Sequence, residues 1–171
     1  MPILHPIPPI YDAQSRVLIL GSFPSAASRA GMFFYHHPQN RFWPLMAALL
    51  GEPVPGSVED KTAMLLRHHV ALWDSAASCE IEGSADASMR DVVPNDLSPI
   101  FAAAGIRAVF CNGAAAWQIY HKHIEPKTGL PATKLPSTSP ANAAWSLPRL
   151  QEAWSGIASY LVDVKQQEGL R

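Results

Sequence analysis

Four short runs of β-branched or apolar residues, each followed by small or polar residues and then by a helical pattern, constrain the fold of this chain more than any other feature. The runs lie at residues 16–20, 70–73, 108–111 and 133–135. Helix candidates lie at residues 41–50, 59–69, 96–104, 114–123 and 147–164. Strands that alternate with helices indicate a parallel sheet covered on both faces. The pattern therefore predicts an α/β fold, a three-layer α/β/α sandwich with a central four-stranded parallel sheet.

Length and composition limit the class of protein. The 171 residues are close to the length of about 150 that is usual for one domain, so a single domain over residues 1–171 is expected. Hydrophobic residues make up 48% of the chain and the net charge is only −1, which excludes a disordered chain. No apolar run approaches the roughly 20 residues that span a membrane. The two cysteines form no disulfide framework, and the N-terminus lacks the pattern of a secretory signal, so a cytoplasmic protein is expected.

The balance of charge restricts how the chain would bind nucleic acid. Lysine and arginine number 13 against 14 acidic residues, whereas proteins that neutralise many phosphates usually carry a basic surplus. Any DNA contact would therefore depend on hydroxyls, backbone N–H groups and a few arginines at one site.

Polar clusters follow all four predicted strands. They are residues 21–25 (GSFPS), 74–78 (DSAAS), 112–113 (NG) and 136–140 (PSTSP). Open parallel sheets bind ligands beyond the carboxyl ends of their strands, so the clusters are expected to converge on one edge. Residues 21–25 resemble a phosphate-binding turn but match neither the Walker loop nor the GxGxxG pattern. The sequence thus predicts a ligand site at this edge without defining its chemistry.

Residues 33–43 (FFYHHPQNRFW) hold the densest cluster of aromatic and polar side chains. One interpretation is structural: Phe42 and Trp43 pack into the core, and Asn40 caps the helix that follows. The other places Tyr35 and Asn40 in a functional site, where an aromatic ring and an amide would face a ligand.

Several kinds of catalytic site are not supported. His36 and His37 are adjacent and would point in opposite directions, with no further ligands at metal spacing, so no metal site is expected. No GxSxG elbow is present, which argues against an acyl-transfer hydrolase. Glu80, Glu82 and Asp86 lie in a predicted surface loop rather than forming a carboxylate pair.

At residues 21–25, 37–43 (HPQNRFW) and 135–142 (LPSTSPAN) the chain resembles the uracil-DNA glycosylase superfamily, and more narrowly its hypoxanthine-DNA (deoxyinosine) glycosylase branch. The resemblance extends from Val17 to Leu161. It implies a DNA repair enzyme with the α/β/α sandwich fold. Such an enzyme hydrolyses the N-glycosidic bond of a deaminated base in damaged DNA, with hypoxanthine favoured, and leaves an abasic site. It also implies a monomer that uses no metal or organic cofactor.

The resemblance assigns roles at the matching positions. Asn40 corresponds to the asparagine that positions the attacking water, and Tyr35 to the aromatic residue that stacks on the flipped base. Residues 21–25 match the first motif, which meets the sugar. Phe23 stands where the mismatch-specific enzymes have a water-positioning asparagine, which argues against the uracil- or mismatch-specific alternative.

The remaining candidates form two groups. Those for base binding are, besides Tyr35, Gly21, Ser22, Phe23, Ser84, Asp86 and Asn112. Those for DNA binding are Ser25, Arg41, Ser137, Ser139 and Asn142, three of them on the second motif, residues 135–142, which contacts phosphate in the family. Two local alternatives stay open: Asn112 caps the next helix, or Arg41 is an exposed arginine without a partner. A catalytically silent DNA-binding module on the same fold is an alternative of a different class.

Overall fold

The structure is a computed structural model that describes residues 2–161. Its strands are β1 (Ile3–Leu4), β2 (Val17–Gly21), β3 (Val70–Asp74), β4 (Ala76–Glu80), β5 (Arg90–Pro94), β6 (Ala108–Asn112) and β7 (Ala132–Leu135). Its α-helices are α1 (Ala26–Gly31), α2 (Phe42–Leu50), α3 (Val58–Arg67), α4 (Ser98–Ala103), α5 (Ala114–Ile119), α6 (Glu125–Thr128) and α7 (Leu147–Trp154). Strands β2, β3, β6 and β7 form a parallel sheet in the order β3-β2-β6-β7. The predicted central sheet is confirmed.

Helices cover both faces of this sheet. Every residue of β2 is buried, and its side chains alternate between the two faces. Val17 and Ile19 belong to the core that includes residues of α2, α3 and α7. Leu18 and Leu20 belong to a second core with residues of α4 and α5. A strand buried on both sides is a continuous apolar run, which explains the sequence pattern and confirms the three-layer sandwich.

A second, antiparallel sheet with the order β1-β4-β5 is absent from the sequence-based prediction. Glu80 ends β4, so its assignment to a loop is wrong, whereas Glu82 and Asp86 do lie in the exposed turn between β4 and β5. Strand β4 contains no β-branched residue and its pairing with β5 shifts register twice, so neither propensity nor alternation marks it in the sequence.

The helix boundaries follow the predictions with local differences. Helix α2 ends as predicted at Gly51, which adopts a φ of 69°. The predicted helix 114–123 changes after α5 into a π-helical turn, Tyr120–Ile124. Helix α7 ends at Trp154 and a 3-10 segment continues to Tyr160, and the predicted helical residues 162–164 lie outside the described residues. Within residues 2–161, no helix is both long and apolar enough to cross a membrane.

The N-terminal segment is attached to both sheets. Strand β1 pairs with β4, and Ile10 forms an isolated antiparallel bridge with Leu72. Between these two attachments, the backbone N–H of His5 donates to the carbonyl of Ala77 at 2.8 Å. This path brings the side chain of His5 against the carboxyl end of β3.

Candidate active site

The floor of the candidate site is formed by the carboxyl ends of three parallel strands. Gly21 pairs in register with Asp74, and Asn112 follows Cys111, the partner of Leu20. Strand residues in register point to the same face of a sheet, so the side chains of Asp74 and Asn112 lie on either side of Gly21.

Gly21 permits a close approach that no other residue allows. A Cβ atom at this position would lie 2.3 Å from Oδ1 of Asp74 and 2.9 Å from the hydroxyl of Tyr35. Both distances are shorter than van der Waals contact. The absence of a side chain at Gly21 therefore lets a carboxylate and a phenol both lie close above the backbone of β2.

Above this floor lies a pocket of about 140 Å³. It is lined by Asn40 and by ten other predicted site residues: Gly21, Ser22, Phe23, Ser25, Tyr35, Ser84, Asp86, Asn112, Ser137 and Ser139. Asn142 borders an adjoining groove instead, together with Lys134 and Trp145. The structure thus gathers most of the predicted residues at one edge of the sheet.

A chain of hydrogen bonds joins the two asparagines of the pocket through Thr138, which is fully buried. The backbone N–H of Thr138 donates to Oδ1 of Asn112 at 3.0 Å, and Nδ2 of Asn112 donates to the threonine hydroxyl at 3.0 Å. That hydroxyl donates in turn to Oδ1 of Asn40 at 2.9 Å. The N–H of Phe42 donates to the same oxygen at 2.9 Å.

The chain of bonds determines which end of the Asn40 amide is free. A backbone N–H can only donate, so the atom facing Phe42 is the amide oxygen. Two donors already occupy that oxygen, which has two lone pairs. The NH₂ group is therefore the part of Asn40 that remains available to a ligand, and it acts as a hydrogen-bond donor.

Asn112 does not cap the following helix. The residue at the N-terminus of α5 is Gly113, with no side-chain capping bond, and the amide of Asn112 bonds to Thr138 instead. The capping interpretation is wrong, and the amide faces the pocket with one donor and one acceptor position beyond those bonds.

Tyr35 is held in an unusual conformation. Its φ is 52°, in the left-handed region that aromatic residues rarely occupy. Its ring stacks on Phe42 with centroids 4.1 Å apart. The hydroxyl is buried and makes no hydrogen bond of normal geometry to any residue in the described part of the chain. Burial raises the pKa of Tyr35 far above its usual range and the nearby Asp74 carboxylate raises it further, so the phenol keeps its proton.

Asp74 and His5 form a buried pair beside the floor. Their side chains are 5% and 3% exposed, and Nε2 of His5 lies 2.7 Å from Oδ2 of Asp74. The rings of Phe23, Phe34 and Trp73 surround the imidazole, with centroids 5.8 to 6.4 Å from it. The pair anchors the N-terminal segment to the end of β3.

The first motif and the turn before β5 are bonded to each other at the rim. Ser22 donates to Oδ1 of Asp86 at 2.8 Å, and the hydroxyl of Ser84 accepts from the first N–H of α1 at 3.0 Å. Although Asp86 as a whole residue is exposed, partial burial of its carboxyl group beside the pocket raises its pKa, and the bond from Ser22 opposes this. Ser25 caps α1 by accepting an N–H of the first turn. These bonds close one side of the pocket.

Arg41 anchors the second motif. Its guanidinium donates to the carbonyl oxygens of Ser139 and Asn142, at 2.9 and 3.0 Å, and to those of Thr138 and Trp145. The alternative of an exposed arginine without a partner is therefore wrong. Arg41 holds in place the loop that carries the candidate phosphate contacts.

Two serines of the second motif adopt turns that leave their hydroxyl hydrogens available. Ser137 accepts from the N–H of Ser139 at 3.1 Å, and Ser139 accepts from the N–H of Ala141 at 3.2 Å. A hydroxyl that accepts in this way keeps its own hydrogen for donation. Both side chains line the pocket and are positioned to donate to an anion.

Sequence reasoning missed three residues of the site. Thr138 lies between two serines that were selected, and nothing in a sequence shows which hydroxyl of the three is buried. Asp74 begins the polar cluster that follows the second predicted strand, which was a usable signal. Nothing in the sequence marks His5 as a site residue, because its contact with Asp74 depends on strands β1 and β4, which the sequence did not predict. Within residues 2–161 no group of three histidine, cysteine or acidic side chains lies close enough together to hold a metal ion.

Known proteins similar to this chain identify its family. The family model of the uracil DNA glycosylase superfamily matches residues 8–158. A Methanosarcina acetivorans protein named hypoxanthine DNA glycosylase is 31% identical over 152 residues, which is 88% of this chain and 94% of the relative. A Methanosarcina barkeri protein of the same name is 29% identical over 150 residues, 86% of this chain and 93% of the relative.

One solved structure has the same fold. It is the solution NMR structure of a Methanosarcina acetivorans protein described as a candidate uracil DNA glycosylase. The two structures superpose with a TM-score of 0.80 at 31% identity, covering 94% of this chain and 99% of that one. Sequence motifs, fold and relatives agree that this chain belongs to the uracil DNA glycosylase superfamily.

Proposed function

We propose that this DNA glycosylase removes hypoxanthine from damaged DNA by hydrolysing the N-glycosidic bond of a flipped-out nucleotide, which leaves an abasic site. Two relatives of similar length carry the name hypoxanthine DNA glycosylase. The observation that carries the proposal is the fixed amide of Asn40. Thr138 and Phe42 hold it at the wall of a pocket that also contains Tyr35 and Asn112.

The pocket suits a nucleotide that has left the duplex. Chemistry on a base inside the helix requires flipping, at a cost of a few kcal/mol that pocket contacts must offset. Tyr35 and Phe23 line the pocket and supply aromatic surface, and stacking on an aromatic ring contributes about 1–3 kcal/mol per base. Since one face of the Tyr35 ring is covered by Phe42, only its other face and its edge are available to the base.

The groups around Asn40 favour departure of the base before attack by water. An amide is no base for a water proton, so the C1′–N9 bond breaks first and its electron pair moves onto the base. The sugar then has oxocarbenium character, as in other glycosidic hydrolyses. The NH₂ group of Asn40 donates to the water oxygen, whose other lone pair bonds to C1′. The water then transfers a proton to the anionic base, which is released in its neutral form.

Because the chain has no surplus of basic residues, its contact with DNA must depend on a few hydrogen bonds from defined side chains. Ser137 and Ser139 supply hydroxyls with free hydrogens at the pocket, whereas the Ser25 hydroxyl donates to Ser28 and must give up that bond to reach a phosphate. Arg41 and Asn142 shape the second-motif loop. Counterion release depends on how many cationic side chains meet phosphates. We therefore expect a shallow dependence of DNA affinity on salt.

A strand-cleavage assay tests the proposal. Labelled duplexes with a single inosine, uracil or xanthosine are incubated with the enzyme and treated with alkali, which breaks abasic sites. The wild type should cleave at inosine. The Asn40→Ala variant should be slower by about 10²–10³, the usual cost of one well-placed hydrogen-bond donor. Gln151→Ala, which removes an exposed amide side chain on α7, serves as the matched control.

Each other result has a defined meaning. Cleavage at uracil alone would retain the glycosylase and replace hypoxanthine as the substrate. Near-wild-type cleavage by a folded Asn40→Ala variant would remove the proposed role of Asn40. Binding of lesion-bearing DNA without cleavage of any duplex would favour the catalytically silent module.

A further inference from the structure

We propose that Asp74 determines the base specificity of this site. Its Oδ1 oxygen accepts the ring N–H hydrogen that a deaminated purine carries and adenine lacks. The inference rests on the proposed function, because it assigns a contact to the base that the pocket would hold.

The two oxygens of Asp74 have different surroundings. Oδ2 lies 2.7 Å from Nε2 of His5, and Oδ1 lies over Gly21 at the floor of the pocket that both residues line. The side chain is only 5% exposed, so a group that enters the pocket meets Oδ1 without competing bulk water. A hydrogen bond in such a place contributes more to discrimination than one at the surface.

The bonds of His5 define the role of the carboxylate. The N–H of Ile7 donates to Nδ1 of His5 at 3.2 Å, so the proton of the imidazole is on Nε2 and is donated to Asp74. His5 is therefore a neutral donor that orients the carboxylate. Asp74 accepts on Oδ2, and an ionised carboxylate presents only acceptor positions on Oδ1.

Hydrogen-bond donors lie beside that acceptor. The hydroxyl of Tyr35 is buried next to Asp74 and makes no hydrogen bond of normal geometry among the described residues, and Asn112 retains one amide hydrogen on the other side of Gly21. A donor left unpaired in a buried place costs free energy until a ligand satisfies it. The floor thus offers one acceptor flanked by donors.

This arrangement matches the edge of hypoxanthine. Hypoxanthine has a hydrogen on N1 next to a carbonyl at C6, so N1–H bonds to Asp74 and the carbonyl accepts from the remaining amide hydrogen of Asn112. Adenine has a lone pair on N1 and an amino group at C6. Its lone pair would face the carboxylate and its amino group would face the donors, so normal DNA is rejected by repulsion as well as by missing bonds.

The alternative is that Asp74 only anchors His5 and the N-terminal segment. The Asp74→Asn variant separates the two roles. The carbonyl oxygen of asparagine still accepts from His5, so the anchor is retained, while an NH₂ group takes the place of Oδ1. The substitution therefore exchanges an acceptor for a donor at the floor with little change in volume.

The experiment compares two substrates in otherwise identical duplexes, one with inosine and one with 2′-deoxynebularine, whose purine base has a lone pair on N1 and no oxygen at C6. We expect the wild type to prefer inosine, and Asp74→Asn to lower the inosine-to-nebularine ratio of kcat/KM by about 10²-fold or more. The wild type and Asp74→Asn are compared on the same two substrates. The difference in intrinsic reactivity between the two bases therefore cancels when the wild-type ratio is divided by the variant ratio. Asp91→Asn removes the same charge at an exposed residue whose φ of 52° suits asparagine, and should leave the ratio unchanged.

An equal loss on both substrates, or no change on either, would overturn the inference. If circular dichroism shows that Asp74→Asn does not fold, the test uses the excision rates of the wild type on the two substrates. Equal rates on inosine and nebularine would then overturn the assignment. Failure of the wild type to excise inosine would instead refute the proposed function, so the two failures are distinguishable.

Discussion

The hydroxyl of Thr138 donates a 2.9 Å hydrogen bond to the amide oxygen of Asn40 from a fully buried position. The same hydroxyl accepts from Nδ2 of Asn112 at 3.0 Å. One oxygen atom thus connects the residue proposed to orient water with a residue proposed to meet the base. Hydrogen bonds in such a chain polarise one another, so the orientation of each amide depends on the hydroxyl between them.

Thr138→Val should separate this role from packing. Valine has nearly the shape of threonine but leaves Oδ1 of Asn40 and Nδ2 of Asn112 each short of one partner. We expect kcat for inosine excision to fall about 10–100-fold with a small change in KM, and the free energy of unfolding to fall by about 1–3 kcal/mol. Thr138→Ser keeps the hydroxyl and should retain most of kcat. Equal kcat values for the two variants would contradict the positioning role.

Asn40→Asp tests whether Asn40 acts as a donor. Phe42 and Thr138 can still bond to one carboxylate oxygen, but the other oxygen presents an acceptor to the pocket in place of NH₂. We expect single-turnover excision of inosine to fall by about 10²-fold or more, close to the loss in Asn40→Ala. An aspartate variant as active as the wild type would mean that the site needs an acceptor, which would reverse the proposed orientation of the water.

Gly21→Ala should displace the floor of the pocket. The added methyl group would lie 2.3 Å from Oδ1 of Asp74, so the carboxylate must move. We expect a loss of inosine excision of at least about 10-fold, with destabilisation of about 1–3 kcal/mol as in other overpacked sites. Gly56→Ala is the matched control, because a Cβ there has no neighbour within 4 Å. Urea unfolding and single-turnover assays on both variants provide the measurement.

The central sheet was predictable because its physical basis is local. Strands buried on both faces must be continuous apolar runs, and residues 17–20 and 108–111 have that form. The gathering of Gly21 and Asn112 at one edge follows from the parallel order of the strands alone. The roles of Asn40 and Tyr35, by contrast, came from resemblance to a family.

What the sequence did not reveal depends on contacts between distant segments. Arg41 bonds to backbone carbonyl oxygens about 100 residues away in the sequence. Every residue type has such an oxygen, so no pattern of side chains indicates this contact. The pairing of His5 with Asp74 requires the path of β1, a two-residue strand. The burial of Thr138, between two partly exposed serines, is decided by how the loop turns rather than by residue type.

Cys111 should make the stability of the protein depend on alkaline pH. Burial raises the pKa of its thiol from 9.0 to about 12. The folded state keeps the proton that the unfolded state loses above pH 9, so the unfolding free energy decreases as pH rises from 9 towards 12. The slope from this group is at most about 1.4 kcal/mol per pH unit.

Urea unfolding of the wild type and of Cys111→Ala at pH 8 and pH 10 measures this contribution. Cys111→Ala is expected to be less stable at pH 8, because it leaves a small cavity in the core beside α5. Other groups titrate alike in both proteins, so the gap between the two unfolding free energies should narrow by about 1 kcal/mol at pH 10. A gap of constant size would show that the thiol loses its proton as readily in the folded state as in the unfolded state, contrary to the effect of burial.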